Sequence, residues 1–314
     1  MADARDPGGD VAGALDRALV AERPRLVGLA YRITGSRLDA EDIVQEAWER
    51  ARRVDHGSID RPAAWLTTVV SRLALDHLRT AQHRRETYVG PWLPEPVLTG
   101  RGVASGAAAP GVEDPSDMVE LAESLTFGFL RLLEALSPVE RVVFVLADVF
   151  GVPFPEIARA VDRSPDACRQ LASRARSRVR DDGYRHQAPD DANRVADDLV
   201  VALSTGEVDR VLALLAPGVV LVSDGGPSTH AARRPVVGPD RVARLLLNLV
   251  RRGLDAGVRF ERTELNGAAG AVATAGDVPV FASALAVDGG RVTGVYTVVN
   301  PDKLAALRYA DPVT

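Results

Sequence analysis

The residues best equipped for chemistry in this chain are arginines gathered on one short stretch. Between Pro165 and Arg180 stand Arg169, Arg174, Arg176, Arg178 and Arg180 against one acid, Asp166, a local balance of +4. Guanidinium groups pair with phosphates and with guanine, and the amide of Gln170 suits adenine. Just upstream, Pro153 to Val161 reads as a short helix whose small Ala158 lets another helix approach. Asp162-Arg163-Ser164 reads as a tight turn, and Ser164-Pro165-Asp166 as a helix start. A short helix, a turn and a basic helix form the helix-turn-helix layout, which seats its second helix in the major groove. Asp166, Ala167, Arg169 and Gln170 then fall where base edges are met. Ser173, Arg174 and Arg176 follow along the same helix, the arginines suited to phosphates. The alternative is a basic amphipathic helix that is solvated or binds a protein partner.

Two upstream segments carry polar faces. Asp39-Ala40-Glu41-Asp42-Ile43-Val44-Gln45-Glu46 predicts a helix with Asp39 as its cap and acids in its first turns, where the helix dipole favours them. Its apolar side holds Ile43 and Ala47, and its acidic side can be plain solvated surface. Pro62 to Arg79, continuing to Arg85, predicts a second helix with a core stripe and a basic, polar face bearing Arg72, Asp76 and Arg79, with Trp65 near its start. His77 and His83 lack further ligands at metal spacing. The lone cysteine, Cys168, excludes an intrachain disulfide and a cysteine zinc cluster.

Elements that could position these residues follow from the punctuation of the chain. Its 314 residues, 46% hydrophobic, suit two or three domains. We expect a disordered N-terminus over 1–14 and a helical domain over 15–88. A Pro/Gly/Ala-rich linker over 89–116 and a second helical domain over 117–186 follow. Residues 190–314 predict an α+β domain. Its helices run Asp191–Ser204, Val208–Leu215 and Pro239–Gly253, and its strands lie around Val219–Val222, Val258–Leu265, Gly270–Ala275, Val278–Val287 and Arg291–Val299. Asp288-Gly289-Gly290 is a hairpin turn. Ser137-Pro138 starts a helix that Gly151 stops. No apolar run reaches the roughly 18 residues of a membrane span, and the polar, acidic start is unlike a signal peptide, so a cytoplasmic protein is expected. The net charge of −5 argues against a nucleic-acid partner only if the clustering of the basic residues is ignored.

The motifs together are familiar. Asp39 to Glu46 resembles the core-binding helix of region 2 in the sigma-70 family. Trp65-Leu66-Thr67 with Asp76-His77-Leu78-Arg79 resembles the adjoining promoter-reading segment. Leu136 to Arg141 and Gly151 to Ala158 resemble region 4. Nothing resembles regions 1.1 or 3, which points to the short extracytoplasmic-function (group IV) sigma factors. Trp92-Leu93-Pro94-Glu95-Pro96 and Asn300-Pro301-Asp302-Lys303-Leu304 resemble the subgroup with a fused C-terminal SnoaL-like domain. That subgroup usually shows an Asp-Gly-Gly-Gly-Lys run, where this chain has Asp224-Gly225-Gly226-Pro227-Ser228.

The resemblance implies two all-α sigma domains, the second with the helix-turn-helix, followed by an α+β cone whose mouth can hold an unidentified small ligand. It implies a core RNA polymerase partner, met at the β′ clamp through Asp39, Asp42, Gln45 and Glu46 and also at the β flap. Trp65, Arg72, Asp76 and Arg79 would read the minus-10 element of promoter DNA. Asp166, Ala167, Arg169, Gln170, Ser173, Arg174 and Arg176 would read the minus-35 element. Trp92, Pro94, Asp224, Gly225, Gly226, Asn300, Asp302 and Lys303 would serve regulation, by contact of the C-terminal domain with the sigma domains or the linker. Polymerase carries the chemistry, so no enzyme activity, cofactor or metal is expected. Asp224, His230 and Asp277 are the candidates for proton transfer, and loop placement is expected for all three. The competing readings are a helix-turn-helix regulator with a ligand-sensing domain, and a SnoaL-like enzyme on a DNA-binding tether.

Overall fold

The computed structural model describes residues 7–54, 59–86, 88–99, 125–181 and 189–309. Its helices are α1 (Pro7–Thr34), α2 (Arg37–Ala51), α3 (Pro62–Glu86), α4 (Phe127–Leu133), α5 (Pro138–Phe144, running into a π-helical turn, Val145–Val149), α6 (Phe154–Val161) and α7 (Pro165–Asp181). After them come α8 (Pro189–Thr205), α9 (Val208–Leu214), β1 (Leu215–Asp224), β2 (Val236–Val237), α10 (Pro239–Asp255), β3 (Arg259–Leu265), β4 (Ala268–Ala275), β5 (Val278–Asp288), β6 (Arg291–Val298) and α11 (Pro301–Leu304). The chain divides into two compact units. One holds residues 1–83, 105–121 and 133–182, the other residues 84–104, 122–132 and 183–314.

The first unit is all helix. α1 reaches back to Pro7, so the described part of the segment expected to be disordered, 7–14, is helical; residues 1–6 lie outside the described residues. Proline suits a first helical turn because its missing N–H has no partner to lose there. Gly35, at φ +72°, ends α1. Ser36 then caps α2 from an extended backbone, its hydroxyl accepting from the Asp39 N–H at 3.1 Å. Asp39 therefore sits inside the first turn rather than at the cap, because a serine three residues earlier takes that role. α1 buries Leu26, Leu29, Ala30 and Ile33, α2 buries Ala40, Ile43, Val44 and Ala47, and α3 buries Leu66, Val70, Leu73 and Ala74. Each set follows the three-to-four spacing of one helix face. α5 opens on a reciprocal capping box of Ser137 and Glu140.

The second unit is built on a six-stranded sheet in the order β2-β1-β6-β5-β4-β3. β1 runs parallel to β6 and every other neighbouring pair is antiparallel. The β5–β6 hairpin turns on Gly289 and Gly290 at φ +55° and +71°, the left-handed pair that a two-residue type I′ turn demands. The short edge strand β2 has no counterpart in the sequence reading. Side chains alternate between the faces. Leu221, Leu285 and Val295 join Val195, Leu199, Val211, Val242 and Leu246 of α8 to α10. Val222, Ala282, Ala284 and Val298 join Leu304 and Leu307 on the other face. Two outside segments complete that second face: Leu93 of the linker, 0% exposed, and Phe127 of α4, whose ring stacks on Tyr296 at 6.3 Å. Full burial of a leucine such as Leu93 contributes about 1.5–3 kcal/mol.

Candidate functional site

The helix-turn-helix is α6 and α7. Asp162 closes α6 in the left-handed conformation at φ 54°, a geometry that short polar residues tolerate, and the Ser164 hydroxyl accepts from the Ala167 N–H at 3.1 Å to start α7. α7 points Cys168, Ala172 and Ala175 inward, all fully buried. That spacing leaves Asp166, Arg169, Gln170, Ser173, Arg174 and Arg176 exposed, with Ala167 partly covered. Local contacts hold the long side chains in place. Arg169 pairs with Asp166 and lies 5.6 Å from the Phe154 ring centre. Arg176 meets Asp148 at 2.5 Å, and Arg178 meets Glu140 at 2.8 Å. Burial alone would raise the Glu140 pKa. Hydrogen bonds from the Ser137 hydroxyl and N–H, with the charges of Arg178 and Arg174, instead hold it below the ordinary carboxylate value.

On α3, Arg72, Asp76 and Arg79 are exposed and Trp65 is half-buried. Arg79 pairs with Asp76 at 3.2 Å. Within the same unit, α3 and the segment before it also reach α6. Arg72 donates to the Arg159 carbonyl at 2.5 Å, and Arg61 pairs with Glu156 at 2.7 Å. The acidic face of α2 splits in two. Asp42, Gln45 and Glu46 are exposed, whereas half-buried Asp39 meets His77 of α3 at 3.1 Å. His77 thus serves as a partner between helices; the side chain of His83 lies outside the described residues. Among the described residues there is no group of three potential metal ligands, and no helix is long and apolar enough to cross a membrane.

The third constellation lies wholly in the second unit, where the linker segment 88–99 is clamped to the sheet. Asp224 ends β1 with no exposed surface, so the loop placement expected for it is overturned. Four donors surround its carboxylate. Oδ1 accepts from the Tyr88 hydroxyl at 2.5 Å and the Gly226 N–H at 3.1 Å. Oδ2 accepts from the Leu93 N–H at 2.8 Å and Lys303 Nζ at 2.6 Å. Lys303 also donates to the Leu93 carbonyl and stands 4.1 Å from the Trp92 ring centre, a cation–π contact. Asn300 caps α11 by accepting from the Asp302 N–H at 3.1 Å, and donates to the Tyr88 hydroxyl at 2.9 Å. Asp302 itself and Pro301 are exposed, while Pro94 is buried. Burial, then the hydrogen bond to Asp224, pushes the Tyr88 pKa up.

The two glycines after Asp224 are there for space. A Cβ on Gly225 would lie 2.6 Å from the Thr229 carbonyl oxygen. One on Gly226, already at φ +61°, would lie 2.6 Å from Asn300 Nδ2. The next two positions, Pro227 and Ser228, are exposed, and the cation at Asp224 comes from Lys303. His230 lies exposed in the loop after β1, and Asp277 is exposed in the β4–β5 turn, as expected for both.

Further along, the linker adds itself to the sheet edge. Thr99 N–H donates to the Glu264 carbonyl at 3.0 Å, and Asn266 N–H donates to the Val97 carbonyl at 2.8 Å. Asn266 Oδ1 accepts from the Val97 N–H at 2.9 Å. This covers the C-terminal end of edge strand β3, whose backbone there would otherwise be open to foreign strands. Tyr88, Thr99 and Asn266 were not among the residues singled out from sequence. Only the proximity of Tyr88 and Thr99 to the Trp92–Pro96 motif hints at them. Residues 100–116 of the linker lie outside the described residues.

An asparagine, an aspartate and a lysine so disposed tie two distant segments together, and every strong acceptor position of Asp224 is engaged. The arrangement is a clamp and offers no poised acid or base.

Known proteins match both halves of this architecture. The family model for sigma-70 region 2 matches residues 19–84, and that for sigma-70 region 4 matches residues 127–179, beginning at the first residue of α4. The ECF RNA polymerase sigma factor SigJ of Mycobacterium tuberculosis is 44% identical over 292 residues, 90% of each chain. The probable ECF RNA polymerase sigma factor SigI of the same organism is 34% identical over 289 residues, 92% of this chain and 94% of its own. A crystal structure of the M. tuberculosis extracytoplasmic function sigma factor SigJ superposes with a TM-score of 0.71 at 41% identity, over 91% of this chain and 96% of that one.

Proposed function

Because the chain belongs to the extracytoplasmic-function family of RNA polymerase sigma factors, we propose a division of labour among the three constellations above. A sigma factor binds core polymerase and directs promoter-specific initiation. In our reading region 2 spans 15–88, region 4 spans 117–186, and 190–314 is the regulatory domain. The exposed acids Asp42 and Glu46, with Gln45 and with Asp39 beside them, dock on the basic β′ clamp, and region 4 meets the β flap. Opposite charge steers such an encounter and speeds it. Trp65, Arg72, Asp76 and Arg79 take the minus-10 element. Asp166, Ala167, Arg169 and Gln170 read minus-35 base edges, while Ser173, Arg174 and Arg176 hold phosphates. The chain works in the cytoplasm, where the polymerase is, and catalyses nothing itself.

The observation that carries the sigma reading is the clean division of α7 into a buried small-residue side and an exposed, arginine-rich side. The regulatory reading rests on the clamp. The C-terminal domain holds the segment leading out of region 2, through Tyr88, Trp92, Leu93, Pro94 and Asp224, with Gly225 and Gly226 giving the loop its room. It also packs against Phe127 of α4. Asn300 and Lys303 supply the closing side of the clamp, and the Asp302 N–H holds the Asn300 side chain in place. The clamp therefore decides whether residues 88–99 are held on the C-terminal sheet.

Co-elution with purified bacterial core polymerase tests the docking face. The whole chain is expected to co-elute, and a D42K/E46K chain to lose binding by about tenfold or more, with its folding unchanged since both residues are exposed. Equal binding by both chains would contradict the assigned face.

A further inference from the structure

The linker and the loop after β1 enclose a small polar cavity, of about 150 Å³. Residues 89–91 of the linker form one wall, and residues 225–233, between β1 and β2, form the other. Both walls belong to the same compact unit. The linker packs closely on that loop. A Cβ on Gly90, which takes φ +84°, would stand 3.5 Å from the Arg233 Cα. The loop curls back on itself, with the Thr229 N–H donating to the Gly225 carbonyl at 3.3 Å. One wall is thus lost whenever residues 89–91 leave the loop.

We infer that this cavity binds a small tetrahedral oxyanion of the phosphate class. The lining supplies donors and positive charge. Arg233 brings a guanidinium, His230 an imidazole, and Ser228 and Thr229 their hydroxyls, while no aspartate or glutamate lines the cavity. Among the described residues these four side chains have no hydrogen bond or ion pair, and the N–H groups of His230, Ala231 and Ala232 have no partner either. Other arginines of the unit are paired: Arg194 and Arg210 meet Asp198, and Arg262 meets Asp197. The one acid beside the loop, Asp224, is matched by Lys303 at 2.6 Å. A guanidinium fork fits two oxygens of an oxyanion, and hydroxyl and backbone donors suit the rest. Size narrows the class. The cavity exceeds what one water needs but falls below the roughly 300–1,000 Å³ of drug-sized ligands. A metal cation would find no carboxylate there, and a neutral apolar molecule would strip water from the donors without replacing it.

An occupant touching both walls acts on the clamp. It binds the closed linker and loses one wall when the linker opens, so it shifts the equilibrium toward closure. The Leu93 N–H, bonded to Asp224 at 2.8 Å, reports that closure. This coupling rests on the regulatory reading, whereas the site itself does not.

The test is equilibrium dialysis of the whole chain against radiolabelled inorganic phosphate, with ionic strength held constant by chloride. It needs no polymerase, so its failure is distinct from failure of the sigma reading. We expect saturation at one phosphate per chain, binding weakened roughly tenfold or more in Arg233→Ala and further in Arg233→Glu, and unchanged binding in Arg251→Ala, an arginine of α10 outside the cavity. Arg233 and Arg251 are both exposed, so the variants keep the fold. Adenosine monophosphate should displace the label. Displacement no tighter than by phosphate identifies the free ion as the occupant, and displacement tenfold tighter identifies a phosphoester; either supports the site. Acetate should displace roughly tenfold or more weakly, and equal displacement by acetate would overturn the phosphate class. The absence of saturable binding, or undiminished binding in both Arg233 variants, would overturn the site. Phosphate at ten times its Kd should slow hydrogen exchange at Leu93 by about tenfold, and unchanged exchange would overturn the coupling to the clamp.

Discussion

Replacing Asp224 by asparagine keeps the shape of the clamp and removes its charge. The carboxylate accepts from four donors and has no exposed surface, and the Lys303 side chain is 10% exposed. An asparagine can still accept from two donors through its oxygen. Its amide nitrogen, itself a donor, would then face the Leu93 N–H and the Lys303 ammonium. Breaking a buried pair by removing one partner costs about 3–5 kcal/mol, because it strands the remaining charge. Lys303 retains the Leu93 carbonyl and the Trp92 face, which places the expected cost near the lower limit, about 3 kcal/mol. That corresponds to an opening equilibrium of the linker about 150-fold more populated. Hydrogen exchange reads it directly, since the amides of Leu93, Val97 and Thr99 are all bonded in the closed clamp. Their exchange should accelerate by roughly that factor while α8 and α10 stay protected. Adding Lys303→Met should recover part of the loss, because the orphaned cation goes with it. Unchanged protection of residues 88–99 in D224N would refute the reasoning.

Arg174→Ala is expected to weaken binding to promoter and non-promoter duplexes alike and to lower the slope of log affinity against log salt by about 1, measured by anisotropy across a salt series. Glu140 has a lowered pKa in the folded state, so the stability it contributes is present above its ordinary pKa and is lost as pH falls through the folded value. Urea midpoints for wild type should therefore decline faster below about pH 4.5 than those for Glu140→Gln; parallel curves would exclude Glu140 as the titrating group. Arg61→Ala breaks the pair with Glu156, whose arginine is 72% exposed, and should change thermal stability by less than about 1 kcal/mol.

Much of this was legible from local pattern. The exposed, arginine-rich side of α7 follows from Cys168, Ala172 and Ala175 recurring at helical spacing, and the β5–β6 turn follows from two glycines. The strands of the second unit carry enough alternation to be placed within a few residues. The clamp was legible only as its separate motifs. Asp224 and Lys303 are 79 residues apart, and Asp224 and Tyr88 are 136 apart, so no periodicity joins them. Asp224 looked like a loop residue because glycines follow it. Those glycines are in fact what allows the chain to close over a buried carboxylate. The cap of α2 was misplaced because both Ser36 and Asp39 can fill that role, and only the extended backbone at Ser36 decides between them.

The central claim is that this chain gives polymerase its promoter specificity. Run-off transcription from a panel of duplexes, using core polymerase with the full-length chain, tests it most directly. We expect discrete transcripts from a subset of duplexes, lost when Arg169 and Gln170 are both replaced by alanine and changed in amount by D224N. Transcription that is absent from every duplex, or that is unaffected by the Arg169 and Gln170 replacements, would contradict the account.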